Sequence, residues 1–277
     1  MVRAMVKTRT QLYVPANNEK MVINSLKLDE DLIIFDLEDA VREEKKDFAR
    51  EYILNFLKDK KTNKQTAIRI NSMETPYFYR DINAIYGNDA NIDYIVVPKA
   101  EPGIGHIHKV LGIPLIPLVE TAYGFKHIDT VISEEGVAMV SWAAADFSLS
   151  MHGNIKGYAK NEYIATTVAV SARSAGIEPI DKVYFEIDNP DGFKEEALIS
   201  RYLGYAGKQV IHPSQISDAN SIFSPSKEDI EWAERVINAY NESAKNGKGA
   251  LRLDGELIDS VHIRMAKNIM GQSSKEF

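Results

Sequence analysis

Short stretches of consecutive apolar residues recur along the chain, and each is followed within a few positions by a polar or charged side chain. The stretches cover residues 11–14, 32–35, 67–68, 94–97, 115–119, 137–141, 183–185 and 209–211. Their exits are Asn17, then Asp36 with Glu38 and Asp39, then Arg69, Lys99, Glu120, Asp146, Glu186 and His212. Runs that stay apolar, instead of alternating, predict strands covered on both faces, as in a parallel sheet. Between most of them lie stretches with helical spacing, at 18–26, 43–57 and 161–175, the last stopped by Gly176. Eight strand-helix units predict an α/β fold, a (β/α)8 TIM barrel, in which side chains leaving the C-terminal strand ends are the first candidates for chemistry.

The pattern changes after the eighth run, at Phe223-Ser224-Pro225-Ser226. Ser226 is placed to cap a helix whose first turn holds Glu228 and Asp229, where carboxylates favour the helix dipole. A polar stretch at 241–248 then precedes a second helix expected near 256–270. The barrel is therefore expected over 1–223 and a helical extension over 224–277. That extension is too long to be only the last barrel helix and is expected to pack on a neighbouring subunit or over the barrel mouth.

Composition narrows the picture by exclusion. The 277 residues suit one barrel domain of roughly 250 residues with a remainder. A hydrophobic fraction of 44% with 26% charged residues is that of an ordinary globular protein. The net charge of -7 argues against nonspecific nucleic-acid binding, which needs clustered cations. With no cysteine, disulfides, thiolate nucleophiles and Cys-ligated zinc are excluded. The first residues lack the apolar segment of a signal peptide, and no run approaches the roughly 20 apolar residues that span a bilayer. A cytoplasmic location without membrane partners is the expectation.

Glu120 and Asp146 follow successive predicted strands, and successive strand ends in a barrel are neighbours. The two carboxylates can converge on one hard cation such as Mg2+, with water and substrate oxygens completing its shell. Equally, one of them caps the following helix or pairs with a nearby cation. Arg69 offers a planar fork for a carboxylate or carbonyl oxygen, or a salt bridge to Asp36, Glu38 or Asp39; the two roles are compatible. Members of that acidic cluster are expected to hold Arg69 or metal-bound water in place instead of binding directly. Lys99 is a Schiff-base amine or a charge-balancing lysine, and the second is favoured. His212, in Ile211-His212-Pro213, is a positioning residue or a general base, and positioning is favoured.

These residues lie within motifs that resemble the citrate lyase β-subunit-like group of the HpcH/HpaI aldolase superfamily, to which malyl-CoA and citramalyl-CoA lyases also belong. The resemblance rests on Leu12-Tyr13-Val14-Pro15-Ala16-Asn17, Phe35-Asp36-Leu37-Glu38-Asp39-Ala40-Val41, Ile68-Arg69-Ile70-Asn71 and Val97-Pro98-Lys99. It continues through Pro117-Leu118-Val119-Glu120-Thr121, Gly207-Lys208-Gln209-Val210-Ile211-His212-Pro213 and Phe223-Ser224-Pro225, and so spans nearly the whole chain. The resemblance implies Mg2+ on Glu120 and Asp146, with Arg69 on the oxo-acid end of the substrate. It implies cleavage of a 3-hydroxyacyl-CoA of citramalyl, malyl or citryl type to a 2-oxo acid and acetyl-CoA, an acyl-carrier-protein thioester being the other possible carrier. It further implies a homo-oligomer, a trimer favoured, in which Asp259 of an adjacent subunit completes the site. Arg9, Asn18 and Lys20 are the matching candidates for the coenzyme A phosphates, with solvated surface charge as the alternative for Arg9 and Lys20.

The chain departs from the family pattern around the metal aspartate. Ala143 stands where glycine is expected, and Ala145 and Ser150 stand where acids are expected. Asp146 itself is present, so a lyase remains the leading expectation. Two others stand beside it: a hydrolase of malyl-CoA-like thioesters, and a catalytically weak subunit of a citrate-lyase-type complex.

Overall fold

The computed structural model describes residues 8–59, 64–245 and 251–273. Eight parallel strands close on themselves in chain order. They are β1 (Thr10–Pro15), β2 (Leu32–Asp36), β3 (Gln65–Arg69), β4 (Tyr94–Val97), β5 (Leu115–Val119), β6 (Met139–Trp142), β7 (Glu178–Asp181) and β8 (Gly207–Val210). Helices α1 (Glu19–Ser25), α2 (Lys46–Lys58), α3 (Pro76–Ile85) and α4 (Gly105–Leu111) follow the first four strands. The next connections carry α5 (Ala122–Lys126) with α6 (Ile128–Ile132), then α7 (Ala144–Ser150), α8 (Ile155–Ala159) and α9 (Glu162–Ser174). Helix α10 (Pro190–Tyr202) links β7 to β8, and α11 (Ile216–Ile222) follows the last strand. The expected barrel is the observed one.

Local signals explain most of the boundaries. The Asn18 side chain accepts the Met21 N–H and starts α1, and Asn161 accepts the Ile164 N–H and starts α9. Gly176 adopts a positive φ of 73° just past α9, a conformation glycine takes without steric cost. Inside the barrel, Leu32, Ile34, Ala67, Val96, Ile116, Leu118, Met139 and Ile180 form one buried cluster. Side chains alternate faces along a strand, so the same inward rows continue upward as Asp36 after Ile34, Arg69 after Ala67 and Glu120 after Leu118. The apolar filling of the barrel thus ends in a polar layer at the C-terminal rim.

The seventh strand lies at Glu178–Asp181 and not at 183–185, which is irregular chain. The physical reason is a set of buried ions on its outer face. Asp181 pairs with Lys208 of β8, Lys208 also meets Glu196 of α10 at 2.8 Å, and Lys182 meets the same Glu196 at 2.6 Å. Ser200 donates to Asp181 at 2.7 Å. A strand whose outer face is stabilised by ion pairs shows no apolar run. The strand exit is therefore Asp181 and Lys182, while Glu186 sits further along the loop and accepts from Tyr184 and Asn189.

The chain divides into two compact units, Met1–Asn220 and Ser221–Phe277. The second contains α12 (Lys227–Lys245), a hairpin of β9 (Leu251–Leu253) and β10 (Glu256–Ile258), and α13 (Ser260–Ser273). Ser226 caps α12 by accepting the Asp229 N–H at 3.0 Å, while Asp229 accepts the Ser226 N–H at 2.9 Å. Ala233, Val236, Ile258, Ile263 and Ala266 form its core. Two expectations change here. Residues 241–245 continue α12 instead of forming a hinge, and the rest of that stretch, 246–248, lies outside the described residues. Residues 256–258 are strand, because Asp254 and Gly255, both with positive φ, make the two-residue turn of a hairpin. Among the described residues, no helix is long and apolar enough to cross a membrane.

Candidate active site

Register places the key groups side by side, because Pro15 pairs with Asp36 and Asp36 with Arg69. Arg69 Nε donates to Asp36 Oδ1 at 2.7 Å and Nη2 donates to Oδ2 at 2.6 Å. Burial favours a protonated Asp36, but the Arg69 charge and hydrogen bonds hold its carboxyl below the usual range. Asp36 also accepts the N–H groups of Glu38 and Ala40. Below the guanidinium, 4.9 Å away, lies the ring of Tyr13, whose hydroxyl donates to Gln209 Oε1 at 3.3 Å. Burial pushes the Tyr13 phenol well above the ordinary tyrosine value, so the ring stays neutral beneath the cation.

The remaining end of Arg69 faces acids. Nη1 is 3.3 Å from Glu38 Oε2, which makes no hydrogen bond, and 3.7 Å from Asp39 Oδ2. Burial first, then neighbouring carboxylates, push the Glu38 carboxyl up to about 8. Lys99 Nζ is 3.9 Å from Glu38 Oε1. Lys46, at the start of α2, donates to the carbonyls of Leu37 and Glu38 at 2.8 and 3.0 Å and so pins the acidic loop from behind.

Glu120 leaves β5 almost fully buried, and its Oε1 accepts the Lys99 N–H at 2.6 Å. Burial pushes the Glu120 carboxyl up to about 7, the negative charge of Asp146 adds to the rise, and Arg69 opposes it. Asp146 stands in the first turn of α7, directly after β6. Ser150, one turn further along α7, accepts the N–H of Ala122 at 2.9 Å and ties that helix to the segment after Glu120. Four carboxylates (Asp36, Glu38, Asp39 and Glu120) thus lie among three cations (Lys46, Arg69 and Lys99), and Asp146 acts electrostatically on Glu120. Among the described residues, no group of three or more His, Cys, Asp or Glu side chains converges as a ready-made metal cage. The donor set, a buried and a half-buried carboxylate with net negative charge, suits a hard cation that keeps water and substrate oxygens as its other ligands.

The other candidates are placed less centrally. His212 is exposed and caps the short turn after β8, accepting the Ser214 N–H at Nδ1. Arg9 precedes β1 and is bound by Asp31 through Nε at 2.9 Å and Nη2 at 2.8 Å, at the end of the barrel opposite the rim. It is thereby separated from Asn18, which caps α1, and from the exposed Lys20. In the second unit Asp259 caps α13, accepting from Val261 N–H at 2.9 Å and pairing with His262 Nδ1 at 2.8 Å. The His262 hydrogen bond, with that of Val261, holds its carboxyl below the usual range. Tyr13, Lys46 and His262 were not singled out from sequence. Only Tyr13 carried a usable signal, as an inward position two residues before the end of β1.

A closed parallel barrel with an arginine clamped by Asp36 and a buried carboxylate, Glu120, under the electrostatic influence of Asp146 has the architecture of a (β/α)8 enzyme with its polar groups at the C-terminal rim. The chain belongs to the HpcH/HpaI aldolase/citrate lyase family, whose pattern matches residues 9–103 and 100–213. It is 29% identical over 280 residues to the citrate lyase subunit beta of Haemophilus influenzae, covering 95% of each chain. It is 28% identical over 274 residues to a (3S)-malyl-CoA thioesterase of Cereibacter sphaeroides, covering 96% of this chain and 94% of the relative. Among solved structures it resembles protein CitE from Mycobacterium tuberculosis in complex with magnesium, acetoacetate and coenzyme A. That match has a TM-score of 0.83 at 25% identity and covers 97% of this chain and 99% of the other.

Proposed function

We propose that this protein is a Mg2+-dependent carbon-carbon lyase that cleaves a 3-hydroxyacyl-CoA thioester of malyl, citramalyl or citryl type into a 2-oxo acid and acetyl-CoA. What supports the reading is Arg69 locked by Asp36 at the rim, with the buried Glu120 carboxylate under the charge of both Arg69 and the Asp146 carboxylate. Those two carboxylates would hold Mg2+, which when bound supplies positive charge to stabilise the oxo-acid oxygen.

Arg69 binds the oxo-acid end with the Nη1/Nη2 end of its guanidinium, the edge that Asp36 leaves open. Asp36 and the Tyr13 ring keep that guanidinium in one plane, so the substrate is oriented before the bond breaks. In the retro-aldol step the hydroxyl proton passes to solvent water and the bond between the two fragments breaks. The electron pair passes to the carbon beside the thioester carbonyl, which becomes an enolate. That carbon then takes a proton, work for which Asp259 from the second unit of a neighbouring protomer is the candidate, in a homo-oligomer read as a trimer. The coenzyme A phosphates fall to Asn18 and Lys20 in this reading, without Arg9.

The test is a screen of malyl-, citramalyl- and citryl-CoA with Mg2+, following oxo acid and free thiol together. Oxo acid with acetyl-CoA is the expected product pair. Free thiol with an intact hydroxy acid would instead establish a thioester hydrolase, and no turnover with no Mg2+ binding would favour a weak assembly subunit.

A further inference from the structure

Lys99 is one of three non-glycine residues with positive φ, at 46°, among the described residues. The left-handed conformation crowds Cβ against the following carbonyl, so an outlier here points to a local requirement. Two contacts hold the turn in place. The Ala100 N–H donates to Leu118 O of β5 at 2.9 Å, and the Ala100 carbonyl packs so closely on Gly124 that a Cβ there would overlap it. With the turn fixed, the Lys99 N–H points at Glu120 Oε1, 2.6 Å away, a short charge-assisted bond. Glycine would supply the same N–H without strain. What lysine adds is an ammonium group 3.9 Å from Glu38 Oε1, and Glu38 is the carboxylate whose other oxygen meets Arg69 Nη1 at 3.3 Å.

We propose that Lys99 is a positioning residue for both halves of the site: its backbone N–H fixes Glu120, and its ammonium group fixes the Glu38 contact with Arg69. This deepens the lyase reading and rests on it. By taking one oxygen of Glu120, the N–H leaves the other for the cation. By holding Glu38 in that contact, the ammonium fixes the orientation in which the terminal end of Arg69 meets the oxo acid.

Calorimetry with MgCl2, and with pyruvate in the presence of MgCl2, separates the two roles. Lys99→Gly keeps the N–H and drops the amine. It is expected to bind Mg2+ within about twofold of wild type but pyruvate about tenfold more weakly, and Lys99→Arg is expected to restore pyruvate affinity. Lys99→Val, whose branched side chain resists the left-handed turn, is expected to lose about tenfold in Mg2+ affinity. Wild-type pyruvate affinity in Lys99→Gly overturns the side-chain role. Wild-type Mg2+ affinity in folded Lys99→Val, or lost affinity in Lys99→Gly, overturns the backbone role. If Lys99→Val does not fold, the Lys99 amide resonance of wild-type protein decides: it is expected to move on adding Mg2+, and a resonance that stays in place overturns the backbone role. Wild-type protein that binds no Mg2+ overturns the lyase reading, and this inference with it.

Discussion

Arg69 and Asp36 meet fork to fork from the ends of adjacent strands, Nε on Oδ1 at 2.7 Å and Nη2 on Oδ2 at 2.6 Å. One edge of the guanidinium is thereby spent on orientation, and in the proposed lyase the terminal end, beside Glu38, meets the substrate. A lysine at this position keeps the charge but cannot face Asp36 and an oxo acid at once. Arg69→Lys is therefore expected to lower kcat/KM by roughly two orders of magnitude, since a charged hydrogen bond is worth about 1.5–3 kcal/mol. Steady-state kinetics on whichever thioester the protein cleaves will check this; near-normal kcat/KM would reduce Arg69 to a general electrostatic role.

Glu120 carries a stability prediction, because its carboxyl is buried beside another acid. Its folded-state value of about 7 lies above the ordinary 4.5, raised by burial and then by Asp146. Folding therefore favours the protonated form. That stabilisation is full below about pH 4.5 and is lost as pH rises through about 7. In metal-free protein, Glu120→Gln should raise stability at pH 8 by up to about 3 kcal/mol and leave it unchanged at pH 4. Glu120→Gln and Asp146→Asn should each abolish Mg2+-dependent turnover in a folded protein, because an amide carries no charge to hold the cation. Urea melts at both pH values, with and without MgCl2, test the first statement. Activity retained by either variant across a Mg2+ titration would remove that residue from the metal site.

The buried ions behind β7 give a prediction about stability alone. Burial would raise the Asp181 carboxyl, but Lys208 and Lys182 outweigh it and hold Asp181 below the usual range. Its contribution is present above about pH 4 and is lost as pH falls through the depressed value. Lys208→Met strands Asp181 and should cost about 3–5 kcal/mol, whereas Lys208→Met with Asp181→Leu should recover most of that loss. Denaturant midpoints of the single and double variants decide; equal losses would mean that the ion pair itself, and not the stranded charge, sets the cost.

Seven of the eight strands were legible because strands buried on both faces show apolar runs, and the rim residues followed from where those runs end. The Arg69–Asp36 pairing was accessible for the same reason, since both side chains close inward rows of neighbouring strands. Strand β7 was not, because Asp181 and Lys208 cover its outer face with charge that is paid for by partners far along the chain. Arg9 precedes its strand, so the same geometry puts it at the end of the barrel opposite the rim. Lys99 was visible as a charge, but its left-handed backbone depends on Leu118 and Gly124 and has no local sequence signature.

The last prediction concerns Asp259. As the cap of α13 it has a structural role that must be separated from any chemistry. Asp259→Asn can still accept the Val261 N–H, so the helix should persist while the carboxylate is lost. If Asp259 protonates the acetyl-CoA carbon of a neighbouring protomer, the variant should be folded and inactive. The decisive measurement mixes Asp259→Asn with Arg69→Lys protomers. A shared site needs an intact Arg69 from one chain and an intact Asp259 from another, so random exchange should leave roughly a quarter of sites complete in a closed homo-oligomer. A site built within one chain would have none. Exchange confirmed by mass, without recovered activity, would exclude the shared site, and full activity of folded Asp259→Asn alone would return Asp259 to its role as a helix cap.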